Sequence, residues 1–221
     1  MKIKGILLFL PFLWLPLSCS DFFTHSLAEW AQRDPGSLIP EVTPGNVGEL
    51  IGLSENNPGM SLEVLKGIAG SDKKSDPRMQ AAALQAAANA ADIANALLKN
   101  ISDMASGSMD SGTSRSVMID AVGNMQNLED TGAALRSILS GSSNPADYDG
   151  LDPGDLAVAA MVLLAEEARQ SGDVAGYINN VQPGSGMGNL DMIKAMAQSS
   201  KNRYTGGGFL GDLLDNLNLL S

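Results

Sequence analysis

The chain is predicted to fold as an irregular all-α array of about ten helices, several of them in antiparallel pairs. Three observations carry that expectation. Apolar residues recur at the i, i+3, i+4 spacing of one helix face in segment after segment. No run alternates with the period of two that a half-buried strand requires. Between the periodic segments stand Pro, Gly, Ser and Asn, repeatedly as Asn or Asp followed by Pro, a pair that caps a helix and opens its first turn.

The elements follow in order. A short helix near Phe23 to Gln32 sets Phe23, Leu27 and Trp30 on one face. Thr43-Pro44 starts the second, with Val47, Leu50, Ile51 and Ser54 as its stripe. Asn57-Pro58 restarts the chain, and Leu62, Leu65, Ile68 and Ala69 form the next apolar face. The tight turn between these two makes them an antiparallel pair. Asp76-Pro77 opens the longest helix, over 77–104, in which ten of the sixteen residues from Ala81 to Ala96 are alanine. Alanine is the best helix former, and its small side chain lets neighbours approach closely, so this is expected to be the central helix.

A Gly/Ser/Asp loop, Ser106 to Thr113, comes next as an excursion. Val117, Ala121, Val122 and Met125 mark a further helix, and Ala134, Leu135, Ile138 and Leu139 another. GSSNPADYDGLDPGD is the longest clear loop. Asp152-Pro153 then starts the helix LAVAAMVLLAEEARQ, and Gly172-Asp173 turns it into a short partner with Val174, Tyr177, Ile178 and Val181. Beyond PGSGMGN, Leu190, Ile193, Met196 and Ala197 define another helix. A Gly206-Gly207-Gly208 hinge precedes the last, whose stripe is Leu210, Leu213, Leu214 and Leu217. The paired helices resemble tetratricopeptide-like solenoids in architecture, although no pair fits the ~34-residue repeat signature. Irregular helix lengths favour one compact or gently curved domain.

The amino terminus carries a different message. Lys2 and Lys4 form a basic head, Gly5 to Leu17 a 13-residue apolar body, and Pro16-Leu17-Ser18 leads into Cys19, the only cysteine. A charged head, an apolar body of about 7–15 residues and small exit residues are the pattern of a secretory signal. At ~1.5 Å per residue the body covers about 20 Å, short of a ~30 Å hydrocarbon core, so it is not read as a permanent membrane span. These residues resemble a bacterial lipoprotein precursor, with Pro16 where leucine is common and Leu17 where a small residue is usual. Looser boxes of this kind are typical of spirochaete lipoproteins, and FFTHSLAEWAQRDP is similar to the start of helical lipoproteins of that group. The resemblance implies that the Cys19 thiol is diacylated and becomes the first residue of the mature chain. Two other readings stay open: cleavage after Ser20, which discards Cys19, or pairing of Cys19 with another chain. The expected layout is a signal peptide over 1–18, a lipidated terminus and short helix over 19–42, a helical domain over 43–205, and a hinge with an amphipathic helix over 206–221.

Charge narrows the partners. Without Lys2 and Lys4, 12 basic residues face 25 acidic ones, a formal charge of −13. Such a chain repels phosphate backbones, so no nucleic-acid partner is expected, and anionic lipid does not attract it. Membrane contact is left to acyl chains, each buried CH₂ contributing ~0.8 kcal/mol. With no second cysteine, the fold rests on packing alone. Aromatic residues are 5% of the chain, so the core falls to Ala, Leu, Ile, Val and Met.

A search for chemistry eliminates more than it finds. His25 is the only histidine, which leaves no zinc site of the usual His/Cys kind and no convincing Ser-His-Asp machine. Asp147, Asp149, Asp152 and Asp155 lie within nine residues, as a calcium loop would, but the EF-hand register places Asp152 where glycine is needed and Val158 at the final ligand. Asp152 and Asp155 are explained instead as cap and first-turn residues. Glu166 and Glu167 point about 100° apart on a helix, so they do not flank one bond as a glycan-cleaving pair must. They read as a solvated face, with Arg136 and Arg169 as salt-bridge partners. GSGMG lacks a preceding strand and GGGFLGD lacks the P-loop lysine.

With no catalytic constellation and no cofactor implied, the chain is read as a binding protein, not an enzyme. It is expected to be a lipid-anchored envelope scaffold that holds a protein partner or small ligand in the periplasm or at the cell surface. A cell-wall enzyme using Asp/Glu carboxylates and a carrier of a hydrophobic small molecule are the alternatives. The Leu210, Leu213, Leu214 and Leu217 stripe either caps the core or docks onto a partner.

Overall fold

Helices joined by turns and loops run from Val47 to Arg203, and no strand occurs among the described residues. The structure, a computed structural model, describes residues 39–98, 111–180 and 189–203, all within one unit, Ile39–Ser221. Cys19, His25, the first short helix, the GSGMG segment and the terminal leucine stripe lie outside the described residues. The fold is all-α.

Helix α1 spans Val47–Ser54 and buries Val47, Leu50, Ile51 and Ser54, the stripe its spacing foretold. It begins later than Thr43-Pro44 suggested. Thr43 donates its N–H and hydroxyl to the Asn46 side chain at 2.8 and 3.0 Å, and its carbonyl accepts from Asn46 and Val47. Residues 43–46 are thus a closed turn ahead of the helix. Helix α2, Pro58–Gly70, is capped by the Asn57 side chain, which accepts from the Met60 N–H. Its Ser61 hydroxyl donates to the Ser54 carbonyl at 2.8 Å, which ties the antiparallel pair at its turn.

Helix α3, Pro77–Ala90, starts on the Asp76 cap as expected but stops fourteen residues later. The single helix expected over 77–104 is broken: Asp92 takes a left-handed φ of 55°, and α4, Ile93–Leu98, begins beyond it. The cause lies elsewhere in the chain. Helix α5, Ser111–Asn124, and helix α6, Leu128–Leu139, are joined by a turn in which Asn127 is also left-handed, with φ 48°. From that turn the Gln126 N–H donates to the Ala91 carbonyl and the Asn127 side chain to the Ala90 carbonyl, both at 3.0 Å. These are carbonyls that a helix end leaves without a partner. Helix α5 also starts at Ser111, inside the stretch expected to be loop.

The long loop is less free than its composition implied. Asn144 caps a 3-10 turn, Pro145–Tyr148, whose Tyr148 ring is buried and donates its hydroxyl to the Ser142 carbonyl at 2.7 Å. Helix α7 follows, Pro153–Gln170, with the Asp152 carboxylate accepting from Gly154 and Asp155 N–H groups at 2.8 and 3.0 Å. A positive-φ Gly172 turns the chain into α8, Val174–Asn180. Helix α9, Leu190–Arg203, buries Leu190, Ile193, Met196 and Ala197 as expected. Its Arg203 guanidinium donates to the carbonyls of Tyr148, Asp149 and Leu151 and so fastens the loop.

Two helices organise the core. Alanine-rich α3 packs against α1, α2, α4, α6 and α7, which makes it the central element the sequence predicted. It shares that place with α7, which packs on α3, α5, α6, α8 and α9 and is buried along nearly its whole length. Both bury short side chains: Ala83, Ala86 and Ala87 on α3, and Ala159, Ala160 and Ala165 on α7, all with no exposed area.

Candidate functional site

The break between α3 and α4 leaves an open groove of about 510 Å³. One wall is the end of α1 and start of α2, with Glu55, Asn56 and Pro58. Facing it are Ala88 and Asn89 from α3, Asp92 at the break, and Ile93, Ala94 and Asn95 from α4. Gln126 reaches in from the α5–α6 turn and Val158 from α7.

Asp92 is the residue the groove is built around. A left-handed conformation costs most residues roughly 1–2 kcal/mol and costs Asp or Asn less, because their short polar side chains bond locally. Here the Asp92 carboxylate accepts from the Asn95 side-chain amide at 2.7 Å and from the Gln126 amide at 2.9 Å. Two carboxamides therefore fix its orientation. Neither is cationic, and among the described residues the lining contains no lysine, arginine or histidine. Of the described lining residues, Glu55, Asn56, Asn89, Asp92, Asn95 and Gln126 are carboxylates or carboxamides, and the rest are small or apolar. The described residues offer many hydrogen-bond donors and acceptors, which is the chemistry that holds a polar group.

The acids singled out in the sequence are placed apart and in structural roles. Asp147 accepts from Ser142 and Asn144, and Asp149 from Ser199 at 3.1 Å. Asp152 caps α7. Asp155 accepts from Gln85 at 3.2 Å, and burial raises its pKa above the ordinary value. Among the described residues no group of three or more His, Cys, Asp or Glu is gathered as a metal site.

Glu166 and Glu167 correct the expectation of a solvated face. The Glu166 side chain is 1% exposed and forms a two-point ion pair with the Arg136 guanidinium, while Gln170 donates to it at 2.9 Å. Room for the carboxylate comes from Gly132 on α6: a Cβ there would overlap Glu166. Hydrogen bonding to Glu166 pushes the Arg136 pKa up, against the opposing effect of burial. Glu167 accepts from the Asn189 amide. Arg169 pairs with neither glutamate; it donates to the carbonyls of Val122 and Met125 at the end of α5. This is a buried clasp between α6 and α7, with no open face for a substrate.

Among the described residues, the buried polar atoms without a hydrogen-bond partner are Arg115 Nε on α5, Thr131 Oγ1 on α6 and the Tyr177 hydroxyl on α8. Burial, with the nearby Glu167 charge adding, pushes Tyr177 up to about 12. None of the three lines the groove. Sequence reading missed the groove because its residues come from four separate stretches. The one local signal was the density of Asn, Asp and Gln at 89–95 and 124–127.

The fold is all-α, and at its helix break lies an open groove whose described lining is rich in carboxylates and carboxamides. No protein-family model, curated protein or solved structure matches the chain. No helix of the described residues is long and apolar enough to cross a membrane.

Proposed function

We propose that this chain is an exported, lipid-anchored module of a bacterial envelope that works by binding, and that its binding surface is the groove at the α3–α4 break. The observation that carries the binding half is the lining: Asn56, Asn89, Asn95 and Gln126 beside Glu55 and Asp92, in a space of about 510 Å³. Ligand sites fix orientation with a few placed polar groups against an apolar background, and Ile93, Ala94 and Val158 supply that background. A carrier of a hydrophobic molecule needs an enclosed apolar cavity, which this open polar groove does not resemble. An enzyme of the carboxylate type gains little support, since the Asp92 oxygens are already engaged by two carboxamides.

The anchoring half rests on the leader and on Cys19. Its test is fatty-acid labelling in cells: wild-type chain labelled and partitioning into detergent, Cys19→Ala unlabelled and aqueous. A labelled Cys19→Ala chain ends the lipoprotein reading. The binding half is tested by affinity capture from detergent-solubilised envelope. A specific component retained by wild type and lost by Asn95→Ala/Gln126→Ala supports it. Equal retention by both proteins counts against the groove.

A further inference from the structure

The break between α3 and α4 turns on a single residue, and the bonds that hold it come from elsewhere in the chain. Ala91 keeps a right-handed helical backbone, with φ −76° and ψ −9°, and its N–H donates to the Ala87 carbonyl at 2.9 Å. Beyond the break the ladder resumes at once, with the Ala96 N–H donating to the Asp92 carbonyl at 3.0 Å. Between Arg78 and Leu98 the sequence has no proline and no glycine, so nothing local forbids one continuous helix. Asp92 alone in that stretch has a positive φ. In an uninterrupted helix the Ala90 and Ala91 carbonyls accept from the N–H groups four residues on, those of Ala94 and Asn95. Here the same two carbonyls accept from the Asn127 side chain and the Gln126 N–H, both at 3.0 Å. Two donor sets therefore compete for one pair of acceptors, one local and one supplied by the α5–α6 turn. The turn's set comes with left-handed backbones at Asp92 and Asn127, and a continuous helix relieves the first of these.

We infer that Asp92 is a single-residue hinge. Left-handed, with the α5–α6 turn docked, it breaks the helix and opens the groove; right-handed, with the turn released, it lets α3 run on through α4. Helix α4 is six residues long, too short to hold a helix by itself, and it packs on α5 and α3. Its position is set by which of these neighbours holds its first turn. Asn89, Asp92, Ile93, Ala94, Asn95 and Gln126 all line the groove, so the flip redraws that wall. Burial of Ile93 and Ala96 favours the docked form, and the alanine-rich sequence favours the continuous one. The continuous form is the minor state of the free protein. The hinge concerns the shape of the groove and stands whether or not the groove binds a ligand.

The test is a pulsed electron paramagnetic resonance distance measurement on the full chain in detergent micelles. The chain carries Cys19→Ala, with nitroxides at Arg78→Cys and Ala94→Cys, both exposed positions. One continuous helix sets these positions ~24 Å apart along its axis. With Asp92 in place, a different distance, that of the broken helix, should dominate. Asp92→Ala removes the residue that tolerates a left-handed backbone and should raise the share of the continuous-helix distance about tenfold. Asp92→Gly loses the same carboxylate but accepts the left-handed backbone, and should keep the broken-helix distance. Asn127→Gly keeps the backbone of the turn, drops its bond to the Ala90 carbonyl, and should raise the continuous share without touching residue 92. It decides the matter if Asp92→Ala does not fold. Equal lengthening in Asp92→Ala and Asp92→Gly supports the hinge and makes the carboxylate its catch. A continuous-helix distance with Asp92 in place overturns the proposal, as does an unchanged distribution in every variant that folds.

Discussion

Replacing Arg136 with methionine isolates the energetics of the α6–α7 clasp. Arg136 is 26% exposed and its partner Glu166 1% exposed, so the variant leaves a carboxylate deep between helices with only the Gln170 N–H as a donor. Removing one member of a buried pair costs about 3–5 kcal/mol, because the remaining charge has lost its compensation. Partial exposure of the guanidinium favours the lower end, about 3 kcal/mol. For a domain of this size that loss lowers Tm by about 6–12 °C. Differential scanning calorimetry at neutral pH reads the shift directly. The double variant Arg136→Met/Glu166→Met removes both charges and fills the space above Gly132 with a flexible side chain, so it should recover most of the loss. A fall of under about 2 °C in the single variant, or a double variant no more stable than it, refutes the account of Glu166 as a buried charge held by Arg136.

Three further outcomes follow from named contacts. Gly132→Ala drives a Cβ into the Glu166 carboxylate and should cost about 1–3 kcal/mol in urea unfolding, as overpacking does; an unchanged midpoint means α6 and α7 separate freely. Asp152→Ala removes the acceptor for two N–H groups at the start of α7 and should cost about 1 kcal/mol by the same measurement. Tyr148, pushed up to about 12 by burial and secondarily by Asp147, and Tyr177, also about 12, both start from an ordinary value of 10. Their phenols are raised in the folded state, so their contribution is complete below pH 10 and is lost as pH rises from 10 through about 12. Tyrosinate absorbance and Tm followed together should show both changes in that window, and a flat Tm there contradicts the burial of the phenols.

What the sequence revealed depended on whether a feature was local. The stripe Val47, Leu50, Ile51, Ser54 and the caps at Asn57-Pro58, Asp76-Pro77 and Asp152-Pro153 are written within one or two turns, and the structure follows them. The break at Asp92 is not written that way. Alanine propensity runs straight through it, and its bonds come from Gln126 and Asn127, 34 and 37 residues further along. The same separation hid the groove, which needs that break. Glu166 was misread for an equivalent reason: two adjacent glutamates late in a helix suggest solvent, and only the missing side chain at Gly132, on another helix, makes room for one of them inside.

The alanine-built interior of α3 has a consequence for how this protein answers mutagenesis. Ala83, Ala86, Ala87 and Ala90 are fully buried at the helix that touches α1, α2, α4, α6 and α7. An alanine scan leaves these four positions untouched and reads α3 only through its larger buried side chains, Met79 and Leu84. Only enlargement probes the alanines. Replacing Ala86 or Ala87 with valine adds two methyl groups where no area is exposed, and costs on the order of 1–3 kcal/mol. Larger side chains are therefore expected to be refused along the alanine face of α3, against which α1, α2, α4, α6 and α7 all pack.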